Sequence, residues 1–210
     1  MAEHKTADAV LMQFAKWPEE GRVKTRLIPA LGSVGAMDAH IELTLAVLDN
    51  LCASGYPVQF WWDRELDTSP READHIVRNL ESAGLEQRFQ HGDTLGERML
   101  AALEGSLESC SRAVVIGSDC PSVDPQYVRD AITRLGESDI VLGPSNDGGY
   151  VLIGARRVVG GMLDGIDWGT EQVMEQTIAR LEESGLSVCL LEPRWDVDEP
   201  EDWARYQSLR

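Results

Sequence analysis

Short apolar runs alternate along the chain with longer segments in which apolar residues recur at helical spacing. The apolar runs predict strands at residues 9–15, 58–62, 85–90, 113–116, 139–142, 150–153 and 187–191. The intervening patterns predict helices at residues 34–54, 69–84, 124–135, 169–183 and 199–207, and one that follows a cap at Asp93. Strands that alternate with helices predict an α/β protein, in which helices cover both faces of a mostly parallel sheet as a three-layer α/β/α sandwich.

Composition and charge narrow the class of protein. The 210 residues are 43% hydrophobic, which allows a sizeable core, and we expect residues 1–210 to form a single domain. The formal net charge of −17 repels phosphate backbones, so we expect no nucleic-acid or membrane partner. The four cysteines lie far apart without a C-x-x-C pair, which is typical of reduced thiols. The N-terminal residues have only a short apolar core, soon followed by charged residues, which fits neither a secretory signal nor a membrane span, so we expect a cytoplasmic protein.

A basic loop follows the first predicted strand. It extends through Gly32, and a loop of that length usually handles a ligand. Four basic residues of this loop fall within eleven positions of a strongly acidic chain: Lys16, Arg22, Lys24 and Arg26. Because basic side chains at a strand end suit the phosphates of a nucleotide, we favour this interpretation over a solvated basic loop. The loop matches neither G-x-x-x-x-G-K-[ST] nor G-x-G-x-x-G.

Two further stretches place polar residues at the ends of predicted strands. The run V-I-G-S-D-C-P at residues 115–121 brings Asp119 to the edge of the sheet, where a carboxylate either closes a turn or binds a hard divalent cation. The stretch G-P-S-N-D-G-G-Y at residues 143–150 is either a hairpin turn or part of a ligand site. In the second case the glycine pair would let backbone N–H groups approach a ligand, and Asp147 would accept hydrogen bonds from sugar or acceptor hydroxyls.

An acidic segment follows the last predicted strand. The spacing D-V-D places Asp196 and Asp198 on the same side of an extended chain. One carboxylate from this segment and Asp119 would together be able to hold Mg²⁺ that also binds nucleotide phosphates. Alternatively, these acidic residues only favour the N-terminus of the following helix, and this is our interpretation of Asp202.

Aromatic and histidine side chains give weaker indications of a ligand site. Trp17 and Trp168 fall in predicted loops and are candidates to line a cleft, whereas Trp61, Trp62 and Trp203 are interpreted as packing residues. The four histidines are scattered without the spacing of metal ligands, so no histidine metal site is expected.

Six motifs, taken together and in order, resemble those of the glycosyltransferase-A-like superfamily of nucleotide-diphospho-sugar transferases. They are F-A-K-x-P-x-x-G-x-V-K-T-R-L at 14–27, L-G-E-R-M at 95–99, G-S-D-C-P at 117–121, G-P-x-x-D-G-G-Y at 143–150, D-W-G-T at 167–170 and D-V-D-x-P-E-D at 196–202. More narrowly, the set resembles an uncharacterised bacterial branch labelled arsenosugar-biosynthesis-associated glycosyltransferase, or domain of unknown function. The resemblance covers nearly the whole chain and implies a Rossmann-like glycosyltransferase-A fold with a mixed, mostly parallel sheet.

The resemblance also implies roles for individual residues. Those implied to bind the nucleotide are Ala15, Lys16, Gly21, Lys24, Thr25, Arg26 and Ser118, and those implied to bind the acceptor are Asp147, Gly148, Gly149 and Tyr150. Lys24 and Asp119 are implied to act in catalysis, and Asp119 and Asp198 to hold Mg²⁺ or Mn²⁺. One motif departs from the pattern. Nucleotidyltransferases of this fold commonly begin L-A-A-G-x-G-[TS]-R-M-G, whereas residues 13–27 read Q-F-A-K-W-P-E-E-G-R-V-K-T-R-L. The glycine-rich loop that binds the triphosphate is therefore altered in this chain.

The resemblance implies a class of function as well. Relatives of this fold include sugar-nucleotide pyrophosphorylases and guanylyltransferases, which use an NTP with Mg²⁺, and glycosyltransferases, which use a nucleotide sugar. We expect an Mg²⁺-dependent transferase that moves a nucleotidyl group from an NTP to a phosphorylated small molecule, by positioning and electrostatics and without an enzyme nucleophile. The alternatives are a glycosyltransferase with a nucleotide-sugar donor and a nucleotide-binding module without turnover.

Overall fold

The computed structural model describes residues 7–209, which are organised around a seven-stranded sheet. The strands are β1 (Ala7–Ala15), β2 (Val58–Trp62), β3 (Glu86–Phe89), β4 (Cys110–Gly117), β5 (Ile140–Pro144), β6 (Tyr150–Ala155) and β7 (Val188–Leu190). They lie in the order β3-β2-β1-β4-β6-β5-β7. Among the described strands only β6 runs antiparallel to its neighbours, β4 and β5, so the sheet is mixed and mostly parallel, as predicted.

Helices cover both faces of the sheet. They are α1 (Ile28–Ala53), α2 (Asp74–Ser82), α3 (Leu95–Leu107), α4 (Pro125–Arg134), α5 (Val173–Glu183) and α6 (Pro200–Ser208). Successive side chains of a strand point to opposite faces, so Leu11 of β1 packs with α1, α2 and α4, whereas Met12 packs with α3 and α5. Helix α6 packs on α1 through Tyr206 and Leu43. The result is the predicted three-layer α/β/α sandwich.

The topology brings the polar stretches to one edge of the sheet. Strands β1 and β4 are parallel neighbours, with Phe14 paired to Gly117, and β2 lies on the other side of β1, so the carboxyl ends of β1 and β4 form the topological switch point. Strand β6 begins where β4 ends, which places the β5–β6 loop at the same edge. Strand β7 is parallel to β5, and an isolated bridge between Ser145 and Arg194 holds the following segment there.

The first helix begins earlier than predicted. Residues 28–32 were expected to belong to the long loop, but α1 starts at Ile28 with Pro29 in its first turn. Proline is well suited to that position, because its fixed φ matches the helix and its missing N–H would have no helical partner. Gly32 interrupts the helix with φ 73° and ψ 169°, so it marks a kink and not the end of a loop.

The starts of two further helices also differ from the prediction. Helix α3 is capped by Thr94 and not by Asp93: the Thr94 hydroxyl accepts from the Glu97 N–H at 3.2 Å, and the Glu97 carboxylate accepts from the Thr94 N–H at 3.3 Å. This reciprocal capping box satisfies two backbone donors at once. Helix α5 starts at residue 173 instead of 169, because the Thr170 hydroxyl donates to the Asp167 carbonyl and closes a turn before the helix.

One segment, Thr25–Ala53, has the length and apolar composition of a membrane span. In the fold this segment is the kinked helix α1 with the turn before it, and it buries Leu43, Val47 and Leu51 completely. Its place as a core helix against the sheet accounts for its apolar character.

Candidate active site

The ammonium group of Lys24 lies between two carboxylates at the switch point. Its Nζ donates to Oδ2 of Asp119 at 3.0 Å and to Oδ1 of Asp198 at 2.8 Å. The second oxygen of Asp198 accepts from Nη1 of Arg26 at 3.3 Å. The Lys24 side chain is 8% exposed, whereas that of Asp119 is 42% exposed and faces an open cleft. The residues implied to act in catalysis and to hold the metal therefore form one contact group.

Charge pairing controls the ionisation of this group. Burial alone would lower the pKa of Lys24, but the charges of Asp119 and Asp198 outweigh it and raise the pKa. Desolvation likewise disfavours the charged form of Asp119, yet the Lys24 ammonium holds the pKa of Asp119 below its usual value. Lys24 and Asp119 are therefore both charged at neutral pH.

Local backbone features position these side chains. Lys24 has φ 45° and ψ 45°, the one left-handed backbone conformation of a non-glycine residue between residues 7 and 209. Such a conformation costs about 1–2 kcal/mol, which the two ion pairs of the side chain oppose. A Cβ on Gly117 would lie 3.0 Å from Oδ1 of Asp119, so the glycine leaves room for that carboxylate. The Val197 N–H donates to the Asp119 carbonyl oxygen at 2.9 Å and joins the two acidic segments.

An open cleft of about 570 Å³ surrounds the Lys24 group. Its lining includes five basic side chains, those of Lys16, Arg22, Lys24, Arg26 and Arg98. These charges come from the first loop and from α3, and they concentrate positive charge at the switch point of a protein whose net charge is −17. A cleft of this kind suits an anionic ligand such as a chain of phosphates.

Most of the residues implied to bind a nucleotide line this cleft. These are Ala15, Lys16, Lys24, Thr25, Arg26 and Ser118. Gly21 lies outside the lining, in an exposed turn where it has φ 73°. The Ser118 hydroxyl points into the core, because it donates to the Phe14 carbonyl oxygen at 2.8 Å and accepts from Nε2 of Gln13 at 3.0 Å. Ser118 would therefore contact a ligand through its backbone.

A second cavity of about 590 Å³ adjoins the cleft, and Arg26, Leu95 and Asp198 line both. Tyr150 and Trp168 meet edge to face in this cavity, with their ring centroids 6.2 Å apart. The Tyr150 hydroxyl is buried, and burial raises its pKa, so this residue offers its ring and not its hydroxyl to the cavity.

The two tryptophans that are candidates to line a cleft lie in different environments. Trp168 is in the lining of the second cavity, as expected. Trp17 is buried in the core, where it stacks on Trp62 with centroids 3.7 Å apart, so the expectation for Trp17 is wrong.

The turn between β5 and β6 is a hairpin turn and also a cavity wall. Oδ1 of Asp147 accepts from the Ser145 hydroxyl and from the Gly149 N–H, which is the chemistry of an Asx turn. Asp147 and Gly149 line the second cavity, whereas Gly148 does not. Gly148 has φ 86°, and a Cβ there would lie 2.3 Å from the Glu171 carbonyl oxygen, so its role is to let the turn pack against the segment before α5.

Three carboxylates in the lining of the second cavity lie close together. Single oxygens of Asp147, Asp196 and Asp198 all lie within 4.8 Å of one another. Burial, together with the charges of Asp119, Asp198 and Asp147, raises the pKa of Asp196 to about 7. Hard oxygen donors at this spacing fit Mg²⁺ or Mn²⁺. The Lys24 ammonium lies between the two carboxylates implied to hold the metal, so the three-carboxylate group offers a further set of ligands that shares Asp198.

Two residues of the cleft were missed by sequence reasoning. His40 is 6% exposed, and its Nε2 donates to the Lys16 carbonyl oxygen at 3.0 Å, which ties the basic loop to α1. Burial lowers the pKa of His40, so it acts as a neutral support. Its place in the apolar stripe of α1 carried no signal of a ligand site. Arg98 belongs to the L-G-E-R-M motif, but the motif alone assigned it no role.

Comparison with known proteins identifies the family. Residues 53–170, more than half of the chain, match the bacterial family described as "Uncharacterized protein conserved in bacteria (DUF2064)". The chain belongs to the DUF2064 family. This DUF2064 protein has no match among curated proteins.

Solved structures share the fold of this DUF2064 protein. A candidate nucleotide-diphospho-sugar transferase from Desulfovibrio desulfuricans is 28% identical, with a TM-score of 0.85 over 98% of this chain and 89% of the other. The 4-diphosphocytidyl-2C-methyl-D-erythritol synthase of Anaerococcus prevotii is 10% identical, with a TM-score of 0.62 over 97% and 99%. A CMP:2-keto-3-deoxy-manno-octonic acid synthetase complexed with CTP is 12% identical, with a TM-score of 0.60 over 96% and 98%. The last two likenesses show a common fold alone.

Proposed function

We propose that the protein is an Mg²⁺-dependent transferase with a nucleotide donor, and that it transfers a nucleotidyl group from an NTP. The observation that carries this proposal is the Lys24 ammonium held between Asp119 and Asp198 on the floor of a basic cleft. Basic side chains beside a set of carboxylate ligands are the combination that a metal-bound polyphosphate requires. The relative from Desulfovibrio desulfuricans, described as a candidate nucleotide-diphospho-sugar transferase, supports the same broad class.

The chain's own residues would act by position and charge. Lys16 and Arg22 would neutralise the donor phosphates, and Lys24 would stabilise negative charge that develops on the transferred phosphoryl group. Asp198 with the neighbouring carboxylates would hold the divalent cation, which when bound supplies further neutralisation of phosphate oxygens. No covalent step is required. Cys120, next to Asp119, is fully buried, and burial raises its pKa well above the usual value, so a reactive thiolate is not available.

A second candidate function is a glycosyltransferase with a nucleotide-sugar donor. The observation that favours it is the 28% identical relative, whose description refers to nucleotide-diphospho-sugar transfer. The leaving group separates the two candidates: nucleotidyl transfer from an NTP releases pyrophosphate, whereas glycosyl transfer releases a nucleoside diphosphate or monophosphate.

Ligand binding tests the proposal directly. Each NTP and a panel of nucleotide sugars, with Mg²⁺ or Mn²⁺, would be titrated into the wild type, Lys24→Met and Asp119→Asn while the melting temperature and the binding isotherm are measured. We expect one nucleotide with metal to stabilise the wild type, Lys24→Met to weaken its binding, and Asp119→Asn to weaken the metal dependence. Arg78→Met, which removes one exposed positive charge on α2 from outside the lining of the cleft, is the matched control and should bind like the wild type.

Each result has a consequence. If no nucleotide and no nucleotide sugar stabilises the protein, the proposal fails. If a nucleotide sugar binds more tightly than every NTP, glycosyl transfer replaces nucleotidyl transfer as the proposed function. If Asp119→Asn binds nucleotide and metal as tightly as the wild type, a nucleotide-binding module without turnover becomes the better description.

A further inference from the structure

The two adjoining cavities carry opposite charge. The lining of the cleft around Lys24 has five basic side chains and three acidic ones, those of Asp63, Asp119 and Asp198. The lining of the second cavity has one basic side chain, that of Arg26, and four acidic ones, those of Asp147, Glu171, Asp196 and Asp198. Fields of this sign attract an anionic ligand to the cleft and repel it from the second cavity.

From this division we infer that the second cavity binds an acceptor that has an apolar or aromatic body, carries hydroxyl or ammonium groups, and lacks a phosphate group. The inference rests on the proposed function, which makes this cavity the acceptor side of the site. It departs from the expectation of a phosphorylated acceptor, which was based on the known relatives of the fold.

The walls of the cavity indicate the apolar body. Its apolar lining includes Phe14, Leu95, Met99, Val115, Ile153, Trp168 and Val173. Leu95 is 45% exposed where the two cavities meet, so apolar surface is left open to solvent there. The edge-to-face pair of Tyr150 and Trp168 forms an aromatic corner that suits a ring or an aliphatic chain. Cavities with apolar walls and a few convergent polar groups are typical small-molecule sites.

Arg26 already has carboxylate partners beside the second cavity. Its Nη1 lies 3.3 Å from Asp198 and its Nε lies 3.6 Å from Glu199, so two of its three nitrogens lie near carboxylates. It is the one basic side chain in the described lining of the second cavity. A phosphate at Arg26 would therefore compete with these carboxylates and would lie in a lining that also contains Asp196 and Asp198. A hydroxyl or ammonium group instead brings donors, and carboxylates are acceptors.

A bound divalent cation does not reverse the preference of the second cavity for an acceptor without a phosphate group. With one Mg²⁺ on the three-carboxylate group, the four acidic side chains of the lining still exceed the cation and Arg26 by one charge. The proposed function also gives the donor phosphates to that cation, so an acceptor phosphate would compete with the donor for it.

Three probes with the same body and different head groups test the inference: benzylamine, benzyl alcohol and benzyl phosphate. Binding would be followed by ligand-observed NMR on the full chain without nucleotide, so that the result does not depend on donor binding. We expect benzylamine to bind at least about tenfold more tightly than benzyl phosphate, because the carboxylates of the cavity attract the ammonium group and repel the phosphate group. The affinity of benzyl alcohol should lie between the two. Asp196→Asn should reduce the difference in affinity between benzylamine and benzyl phosphate.

A pair of matched variants locates the binding. Leu95→Ala should weaken all three probes, whereas Leu190→Ala, which truncates a leucine that is 50% exposed on β7, should leave them unchanged. Benzyl phosphate binding as tightly as benzylamine, or no binding by any of the three at millimolar concentration, would overturn the inference. Either of these results leaves nucleotide binding to the cleft unaffected, and a loss of nucleotide binding leaves the ranking of the probes unaffected, so the two failures are distinguishable.

Discussion

The backbone N–H of Val197 donates a 2.9 Å hydrogen bond to the carbonyl oxygen of Asp119. The Val197 side chain is fully buried against α1 and α6, so this part of the chain is fixed in the core. Asp196 and Asp198 flank it and line the cavities on the other side. The bond therefore joins the backbones of the two segments whose carboxylates contact Lys24.

Replacing Lys24 by methionine should destabilise the protein and make its stability depend on Mg²⁺. Without the ammonium, Asp119 loses its ion pair with Lys24 and Asp198 keeps only that with Arg26, so we expect a loss of roughly 1–3 kcal/mol in the free energy of unfolding at neutral pH. A divalent cation can take the place of the ammonium. Addition of Mg²⁺ should therefore raise the melting temperature of Lys24→Met more than that of the wild type, as measured by calorimetry.

Lys16→Met is the control for that experiment, because it removes the same charge from an exposed side chain of the same loop. It should change the free energy of unfolding by less than about 0.5 kcal/mol. If Lys24→Met is as stable as Lys16→Met and equally insensitive to Mg²⁺, the ion pairs of Lys24 do not have the strength assigned to them.

The sequence predicted the strand ends better than it predicted the contacts between them. Asp119 and Asp198 could be placed at one edge of the sheet, because strands alternating with helices bring their carboxyl ends together. The Lys24 bridge could not be predicted, since it depends on a left-handed backbone that sequence preference assigns to glycine. Gly148 was interpreted as an acceptor contact for a similar reason: a positive φ serves equally well for packing and for ligand binding, and only the neighbouring Glu171 backbone decides between them.

Asp139 should stabilise the fold at neutral pH, and this stabilisation should be lost at acid pH. It lies just before β5, where the Arg157 guanidinium and the N–H and hydroxyl of Ser187 donate to its carboxylate and hold its pKa well below the usual value. A depressed pKa in the folded state means that the stabilisation is present above the unfolded value of about 3.9 and is lost as the pH falls through the folded value. Asp139→Asn should therefore cost roughly 1–2 kcal/mol at pH 7, and the difference from the wild type should narrow as the pH falls below about 4.

Urea unfolding across that pH range measures the effect of Asp139→Asn. The control is Asp38→Asn, which removes the same charge from an exposed position of α1. It should follow the wild-type curve within about 0.5 kcal/mol. A constant difference between Asp139→Asn and the wild type from neutral to acid pH would show that the carboxylate charge is not the source of the stabilisation.

The cap of α3 makes a direct comparison of two neighbouring residues possible. Thr94→Ala removes the hydroxyl that accepts from the Glu97 N–H and should cost about 1 kcal/mol of unfolding free energy. Asp93→Ala should cost much less, because in the structure the Asp93 backbone N–H donates to Glu97 and its side chain is not the cap. Chemical denaturation of both variants distinguishes the two assignments, and a larger loss for Asp93→Ala would restore Asp93 as the cap.

Gly148→Ala should disturb the wall of the second cavity. The residue has φ 86°, and a Cβ would lie 2.3 Å from the Glu171 carbonyl oxygen, so the β5–β6 turn and the segment before α5 would have to separate. We expect a loss of roughly 1–3 kcal/mol in the free energy of unfolding. Gly105→Ala is the matched control: it lies within α3 with no atom within 4 Å of an added Cβ, and alanine there should stabilise the helix by about 0.5–1 kcal/mol. Opposite signs for the two glycine-to-alanine changes in thermal unfolding are the expected result, and equal effects would contradict the packing role of Gly148.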